Sequence, residues 1–191
     1  MNNNSYGRNQ VVGEVMYLEM IGHDFVKSAL LLFDTKEKTT EWSDYVYSFN
    51  LLASQALEIL PKSLIATRIC LEKNNNLIEE IRNTINRELE CLSHKLDNIF
   101  NEVPELKKSL NISDVKRFNH AEFVDEFHFT VSEKKIVIKN LEGARYGAFA
   151  RNKNFSSNYD KNVVDFLKKL SEKTAEIRVG MINEFDGKHK K

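Results

Sequence analysis

A long apolar and strongly helical run, residues 44–73, constrains the fold of this chain more than any other feature. Its apolar residues recur at steps of three and four, which is the spacing of one face of an α-helix. Further leucines and isoleucines make the other faces apolar too, so neighbouring elements must cover this helix on several sides. We therefore predict a central core helix, whose main apolar face is formed by Phe49, Leu52, Ala53, Ala56, Leu60 and Leu64.

Pro61 lies inside this run, where it removes one backbone donor and its ring clashes with the carbonyl of Leu57. A proline costs about 3 kcal/mol in the interior of a straight helix. The residues after Pro61 nevertheless continue the apolar pattern without a turn residue. We therefore expect one kinked helix instead of two short helices.

Composition limits the classes of protein to which the chain can belong. Its 191 residues suit one domain with a substantial core. Lys plus Arg and Asp plus Glu both number 28, so there is no global basic field, and any binding of nucleic acid must be local. The two cysteines, Cys70 and Cys91, resemble neither a disulfide framework nor a zinc set. Because there is no apolar signal core and no run of about 20 apolar residues, we expect a cytoplasmic protein without a membrane partner.

The chain divides into three parts. Residues 1–10 are polar and rich in asparagine, and we expect them to form a flexible leader. Residues 11–185 are expected to form a single helical domain. Residues 186–191 are predicted to be a basic flexible tail.

Helical periodicity accounts for most of the remaining chain. Few turn residues interrupt it, because the sequence has only seven glycines and two prolines. Ser113 and Asp114 are suited to cap one further helix, which we expect to run to about Phe127. The other predicted helices cover 12–33, 77–92, a short stripe at 96–103, 105–110 and a last long helix that opens at Asn158.

The periodicity changes at Phe127. Residues 127–131 alternate between apolar and polar, residues 132–135 have the composition of a turn, and residues 136–138 are β-branched. This pattern predicts a β-hairpin near 127–139 with a four-residue loop. The short connector at 34–40 favours antiparallel helices. The predicted fold class is therefore mainly α, an antiparallel helical bundle with a small β-hairpin.

Three cations lie beside three aromatic residues between residues 143 and 158. This mixture suits phosphate neutralisation and base stacking. The alternative is a loop whose aromatic residues are buried in the core and whose cations are solvated. The candidate nucleic-acid-binding residues are Arg145, Tyr146, Arg151 and Lys153.

Other chemistry has less support in the sequence. No pair among the five histidines has the spacing of a helical metal-binding motif. There is no glycine loop that would cradle phosphate, no dinucleotide fingerprint and no nucleophile motif. We therefore expect no metal and no cofactor. His23, which follows Gly22 in the first helix, is interpreted as a partly buried polar residue.

Four stretches resemble the HEPN-like helical domains of prokaryotes. They are residues 22–31, Ala53-Ser-Gln-Ala-Leu-Glu58 in the core helix, Leu92-Ser-His-Lys-Leu-Asp-Asn-Ile-Phe100, and Arg145-Tyr-Gly147. The resemblance implies an antiparallel bundle that forms a homodimer through its helices. It also implies RNA or a nucleotide as the ligand, an antitoxin-type protein as a partner, and a role in a bacterial defence or toxin–antitoxin system.

Active members of this family are metal-independent ribonucleases. Their motif is an arginine, usually followed by a polar residue, with a histidine four to six intervening positions later. Arg151 and Asn152 match its start and are the candidate catalytic residues. Ser156, Ser157 and Asn158 stand where the histidine should be, and none of them exchanges a proton near neutral pH as imidazole does. We therefore predict a non-catalytic binding or regulatory protein; the alternatives are a ribonuclease that uses Arg151 and a structural or adaptor bundle with no nucleic-acid role.

Overall fold

The computed structural model describes residues 3–36, 43–120, 124–140 and 161–189. Within these ranges the chain is mainly helical and contains one small β-sheet, which confirms the predicted fold class. In chain order the elements are α1 (Asn3–Lys36), α2 (Ser43–Glu72), α3 (Ile78–Leu92), α4 (Leu96–Asn101), α5 (Pro104–Ser109), β1 (Ile112–His120), β2 (Val124–Val131), β3 (Lys134–Asn140) and α6 (Lys161–His189). Helical structure thus extends into both segments that were expected to be flexible, the leader and the tail.

Helix α2 is the central element, as its apolar pattern predicts. It continues through Pro61, and Leu57, Leu60 and Leu64 are fully buried along it. It packs against α1, α3, α4, α6 and β3. Because most helical stability in proteins comes from such packing, a well-covered helix can persist despite the cost of one interior proline.

Helices α1 and α2 are antiparallel neighbours. Gly22 lies against Leu60, while nearer the connector the rings of Phe33 and Phe49 are 6.2 Å apart. A Cβ atom on residue 22 would lie only 2.7 Å from Leu60 Cδ2. Glycine therefore permits the close approach of the two helices at this crossing. The helix itself continues through Gly22 and His23 without interruption.

The three strands form one antiparallel sheet in the order β1-β2-β3. The inner face of the sheet buries Phe127, Phe129 and Ile136. The ring of Phe129 lies 5.2 Å from that of Phe100 in α4 and 5.3 Å from that of Phe166 in α6, measured between centroids. The sheet is therefore one wall of the same hydrophobic core that contains α2.

Strand β1 corrects the prediction of a helix capped by Ser113 and Asp114. Residues 112–120 pair with β2 along their length instead. A bulge between Ile112 and Asp114 shifts the pairing register, so the strand alternation is broken where the helix cap was expected. The exposed Phe118 also places an apolar ring on the outer face, which obscures the pattern further.

The hairpin predicted near 127–139 is present as β2 and β3, but its turn contains two residues instead of four. Ser132 and Glu133 connect the paired residues Val131 and Lys134. Their φ angles are 47° and 67°, and positive φ at both central residues is the requirement of a type I′ turn. The sequence lacks the asparagine and glycine that usually mark this turn, so the shorter loop could not be recognised.

Candidate functional site

The candidate site is a cleft of about 380 Å³ between α2 and the end of α3. Five of its six lining residues are polar or charged, and they supply three types of chemical group: cationic, anionic and hydrogen-bonding. The lining residues are Lys62 from α2 and Asn86, Leu89, Glu90, Ser93 and His94 from the end of α3 and the residues after it.

A nearly buried carboxylate holds two of these residues in place. Glu58 lies one turn before Lys62 on α2, and its side chain is 12% exposed. Lys62 Nζ donates to Glu58 Oε1 at 2.8 Å, and His94 Nδ1 lies 2.7 Å from Glu58 Oε2. An ionised carboxylate can only accept, so His94 Nδ1 carries the proton in this bond. Both carboxylate oxygens are thereby satisfied, as a buried charge requires.

The end of α3 positions His94 for this contact. The buried residues Ile81 and Ile85 hold the apolar face of α3 on the core. Ser93 follows the helix with φ of 50°, and its backbone N–H donates to the carbonyl of Glu90. This residue with positive φ ends the helix and turns the chain, which allows the next side chain to reach α2.

The cleft brings together hydrogen-bond donors, hydrogen-bond acceptors and one ammonium group. The ammonium of Lys62 has three donor hydrogens, and Glu58 accepts only one of them at Nζ. Asn86 and Ser93 offer additional donors and acceptors, while Glu90 accepts only. Leu89 gives the cleft a small apolar surface beside these polar groups.

A second polar cluster joins α1 to α6. Glu19 is 3% exposed, its Oε1 lies 3.1 Å from His23 Nε2, and its Oε2 forms an ion pair with Arg178. The ion pair is close but not aligned as a hydrogen bond. His23 Nδ1 lies 2.7 Å from Ser171 Oγ. The later residue on α1 thus contacts the earlier residue on α6, as expected for antiparallel helices. We interpret this cluster as an interhelical clamp, in agreement with the partly buried, polar role expected for His23.

The site residues that the sequence pattern favoured lie outside the described part of the chain. Arg145, Tyr146, Arg151, Asn152 and Lys153 all fall within residues 141–160. Their roles in binding or catalysis therefore stay predictions.

The cleft residues were not predicted as a site, although the sequence held a partial signal. Glu58 and His94 both belong to stretches that resemble HEPN-like domains, and Lys62 lies four residues after Glu58 on one helix face. The contact between Glu58 and His94 joins positions 36 residues apart. Such a contact depends on how α3 packs on the core, which periodicity does not specify.

Neither a cluster of metal-ligating side chains nor a helix that could cross a membrane is present in the described ranges. There, no group of three or more His, Cys, Asp or Glu side chains is placed to hold a metal ion. No helix in those ranges is long and apolar enough to cross a membrane. Cys70 is buried, Cys91 is exposed, and neither forms a disulfide.

Comparisons with known protein families, with curated proteins and with solved structures give no match to this chain. The fold and the cleft define it as a mainly helical protein with a polar surface cleft. Its function must therefore be argued from the residues of that cleft.

Proposed function

We propose that the chain is a HEPN-like helical protein that binds RNA or a nucleotide without cleaving it, as a regulatory component of a bacterial defence or toxin–antitoxin system. The observation that carries the proposal is the hydrogen bond between Glu58 and His94. It joins two of the stretches that resemble HEPN-like domains, 53–58 and 92–100, beside one polar cleft. The volume of about 380 Å³ lies within the range of small-molecule sites, in which a few placed polar groups fix the orientation of the ligand.

The groups of the cleft match the chemistry of a ribonucleotide. Lys62 can keep its bond to Glu58 and donate a second bond to a phosphate oxygen. Asn86 and Ser93 can bond the ribose hydroxyls or a base edge, and Glu90 can accept from a ribose hydroxyl or an amino group. The bonds of Glu58 to His94 and Lys62 hold these two side chains in place before the ligand arrives, which lowers the entropic cost of binding.

Absence of cleavage follows from the sequence of the candidate catalytic motif. Arg151 can bind a phosphate group through its guanidinium, but positions 156–158 provide no imidazole. An arginine without a general acid or base contributes affinity and not proton transfer. A ribonuclease that uses Arg151 is the competing function.

The test measures binding of a labelled single-stranded oligoribonucleotide and of adenosine monophosphate to the full chain at two salt concentrations. Wild type should bind the oligoribonucleotide more weakly as salt rises and release no cleavage product. Asn86→Ala should weaken binding about tenfold, the effect of losing a hydrogen bond to a charged ligand. His94→Ala should also weaken it, because Glu58 then loses one of the two partners that hold the cleft in place. Lys27→Met, at an exposed lysine of α1, is the control and should bind as wild type does.

Arg151→Ala completes this experiment. In a binding protein it should weaken RNA binding and reduce the salt slope by about one unit for each phosphate that the protein no longer neutralises. In a ribonuclease, wild type would release product and Arg151→Ala would slow cleavage by about 10² or more. Product release by wild type would therefore favour the ribonuclease. Absence of binding at both salt concentrations would reject both functions and leave the adaptor.

We also propose a homodimer that forms through the helices. Helix α1 exposes Met16, Tyr17 and Met20 on neighbouring turns, and Leu31 is exposed further along the same helix. Large apolar side chains exposed together on neighbouring turns, as Met16, Tyr17 and Met20 are, suit a contact with another protein. A two-fold axis would bring the same surface of two copies together.

A further inference from the structure

We propose that the outer face of the β-sheet is a stacking surface for the bases of single-stranded RNA. This inference rests on the proposed RNA-binding function and adds a second contact surface on different elements from the cleft. We call it the sheet platform and define it by Phe118 and His128, with Lys116 and Lys135 beside them.

An aromatic pair forms the centre of the sheet platform. Phe118 of β1 is 41% exposed, and its ring centroid lies 4.2 Å from that of His128 in β2, with 37° between the ring planes. The register pairs Phe118 with Glu126 and Lys116 with His128, so the two rings are diagonal neighbours on one face. His128 Nε2 also contacts Glu126, which fixes the imidazole against the sheet. Phe118 supplies most of the accessible aromatic surface on which a base can stack, because the His128 side chain is only 15% exposed and supports the Phe118 ring.

Cations lie on the same face of the sheet. Lys116 flanks His128 on β1, and its side chain is 66% exposed. Lys135 of β3 is exposed and pairs in register with Thr130, which pairs with Asp114 of β1. Successive side chains of a strand point to opposite faces, and residues paired in register share a face, so Lys135 lies on the outer face together with Phe118. Lysines beside aromatic rings are the usual combination in single-strand binding surfaces.

The carboxylates on this face are engaged by neighbours within the sheet. Asp114 lies 3.1 Å from Lys116 Nζ, and Glu126 forms its contact with His128. Over the described ranges, no carboxylate lies within ion-pair distance of Lys135. A phosphate approaching Lys135 therefore displaces no acidic partner that is described.

The chemistry of the face favours RNA over an apolar protein partner. Of the large apolar side chains on the described strands, Phe118 is the one that is clearly exposed. Its neighbours are charged or polar, whereas the central part of a protein interface is depleted of charge. The ring pair, with Lys116 beside it and Lys135 further along the same face, suits stacking with phosphate contacts.

The test is fluorescence anisotropy of a labelled single-stranded oligoribonucleotide, about ten nucleotides long so that it spans one such surface. Phe118→Ala should weaken binding roughly 5- to 150-fold, the effect of losing one stacked base. Phe118→Tyr keeps the ring and should bind as wild type does. Lys135→Gln should reduce the salt slope by about one unit. Val179→Ala removes an exposed apolar side chain from α6 and is the control, which should leave affinity unchanged.

The outcomes separate the sheet platform from the cleft. If wild type binds RNA and Phe118→Ala binds equally well, the sheet platform is wrong and the proposed function stands. If Phe118→Ala weakens binding and His94→Ala does not, the cleft is wrong and the sheet platform stands. Equal competition by duplex RNA would also overturn the platform, because stacked and paired bases cannot reach it. Circular dichroism of Phe118→Ala confirms folding, and failure of wild type to bind rejects both surfaces.

Discussion

A single residue, Glu19, shows how strongly a buried charge depends on its partners. Glu19 is almost inaccessible and has Arg178 and His23 as its contacts. Arg178→Met would leave the carboxylate buried beside an apolar side chain. We expect this change to lower the free energy of unfolding by about 3–5 kcal/mol, measured by urea denaturation.

Arg82→Met is the matched control for this prediction, because it removes an arginine from the exposed ion pair with Glu14. The hydrogen bond to Glu14 raises the pKa of the Arg82 guanidinium, so this residue stays charged at every working pH. Exposed ion pairs contribute about 1 kcal/mol or less even when two hydrogen bonds join them, as here, so we expect a loss of at most about 1 kcal/mol. Equal losses of unfolding free energy in Arg178→Met and Arg82→Met would show that the stabilising effect of Arg178 does not depend on the burial of Glu19.

At the scale of elements, Gly22 determines how closely α1 and α2 approach. A methyl group at this position would meet Leu60 Cγ at 2.8 Å and Leu60 Cδ2 at 2.7 Å, inside the core. Gly22→Ala should therefore lower the free energy of unfolding by about 1–3 kcal/mol, as overpacking does. Thermal or urea denaturation measures the change.

Gly13→Ala tests the same substitution in the same helix. Residue 13 faces open space, and a methyl group there would meet no other atom within 4 Å. Alanine should raise stability there by about 0.5–1 kcal/mol through helix propensity. Stabilisation by both alanines would show that the two helices can separate at Gly22 without cost.

In the turn between β2 and β3, the residue types do not suit the backbone conformation. Ser132 and Glu133 both have positive φ, which costs about 1–2 kcal/mol for a residue with a Cβ atom. Replacing the pair by Asn-Gly, the preferred sequence for a type I′ turn, should raise the free energy of unfolding by about 1 kcal/mol. Ala-Ala at the same positions is the control and should not stabilise. A lower stability with Asn-Gly would contradict the two-residue turn.

For the whole molecule, the helical framework could be predicted because its signals are local. The pattern around Leu57 and Leu60 indicated a helix covered on several sides, and both residues are fully buried. Strand β1 could not be predicted in the same way, because the bulge at Ile112 and the exposed Phe118 break its alternation. The cleft could not be predicted from the sequence either, because Glu58 and His94 meet only when α3 packs on the core.

The last prediction concerns assembly of the whole molecule. The exposed Met16, Tyr17 and Met20 of α1 should pair with the same surface of a second copy. Light scattering should then give wild type a mass twice that of one chain, which is 22.2 kDa. Met20→Glu should have the mass of one chain, because burying an unpaired charge in an apolar contact is unfavourable. Leu77→Glu places the same charge at an exposed leucine before α3 and should remain dimeric. A wild-type mass of one chain would reject this surface, and so would dissociation of Leu77→Glu. An unchanged circular dichroism spectrum of Met20→Glu would show that the substitution disrupts assembly and not folding.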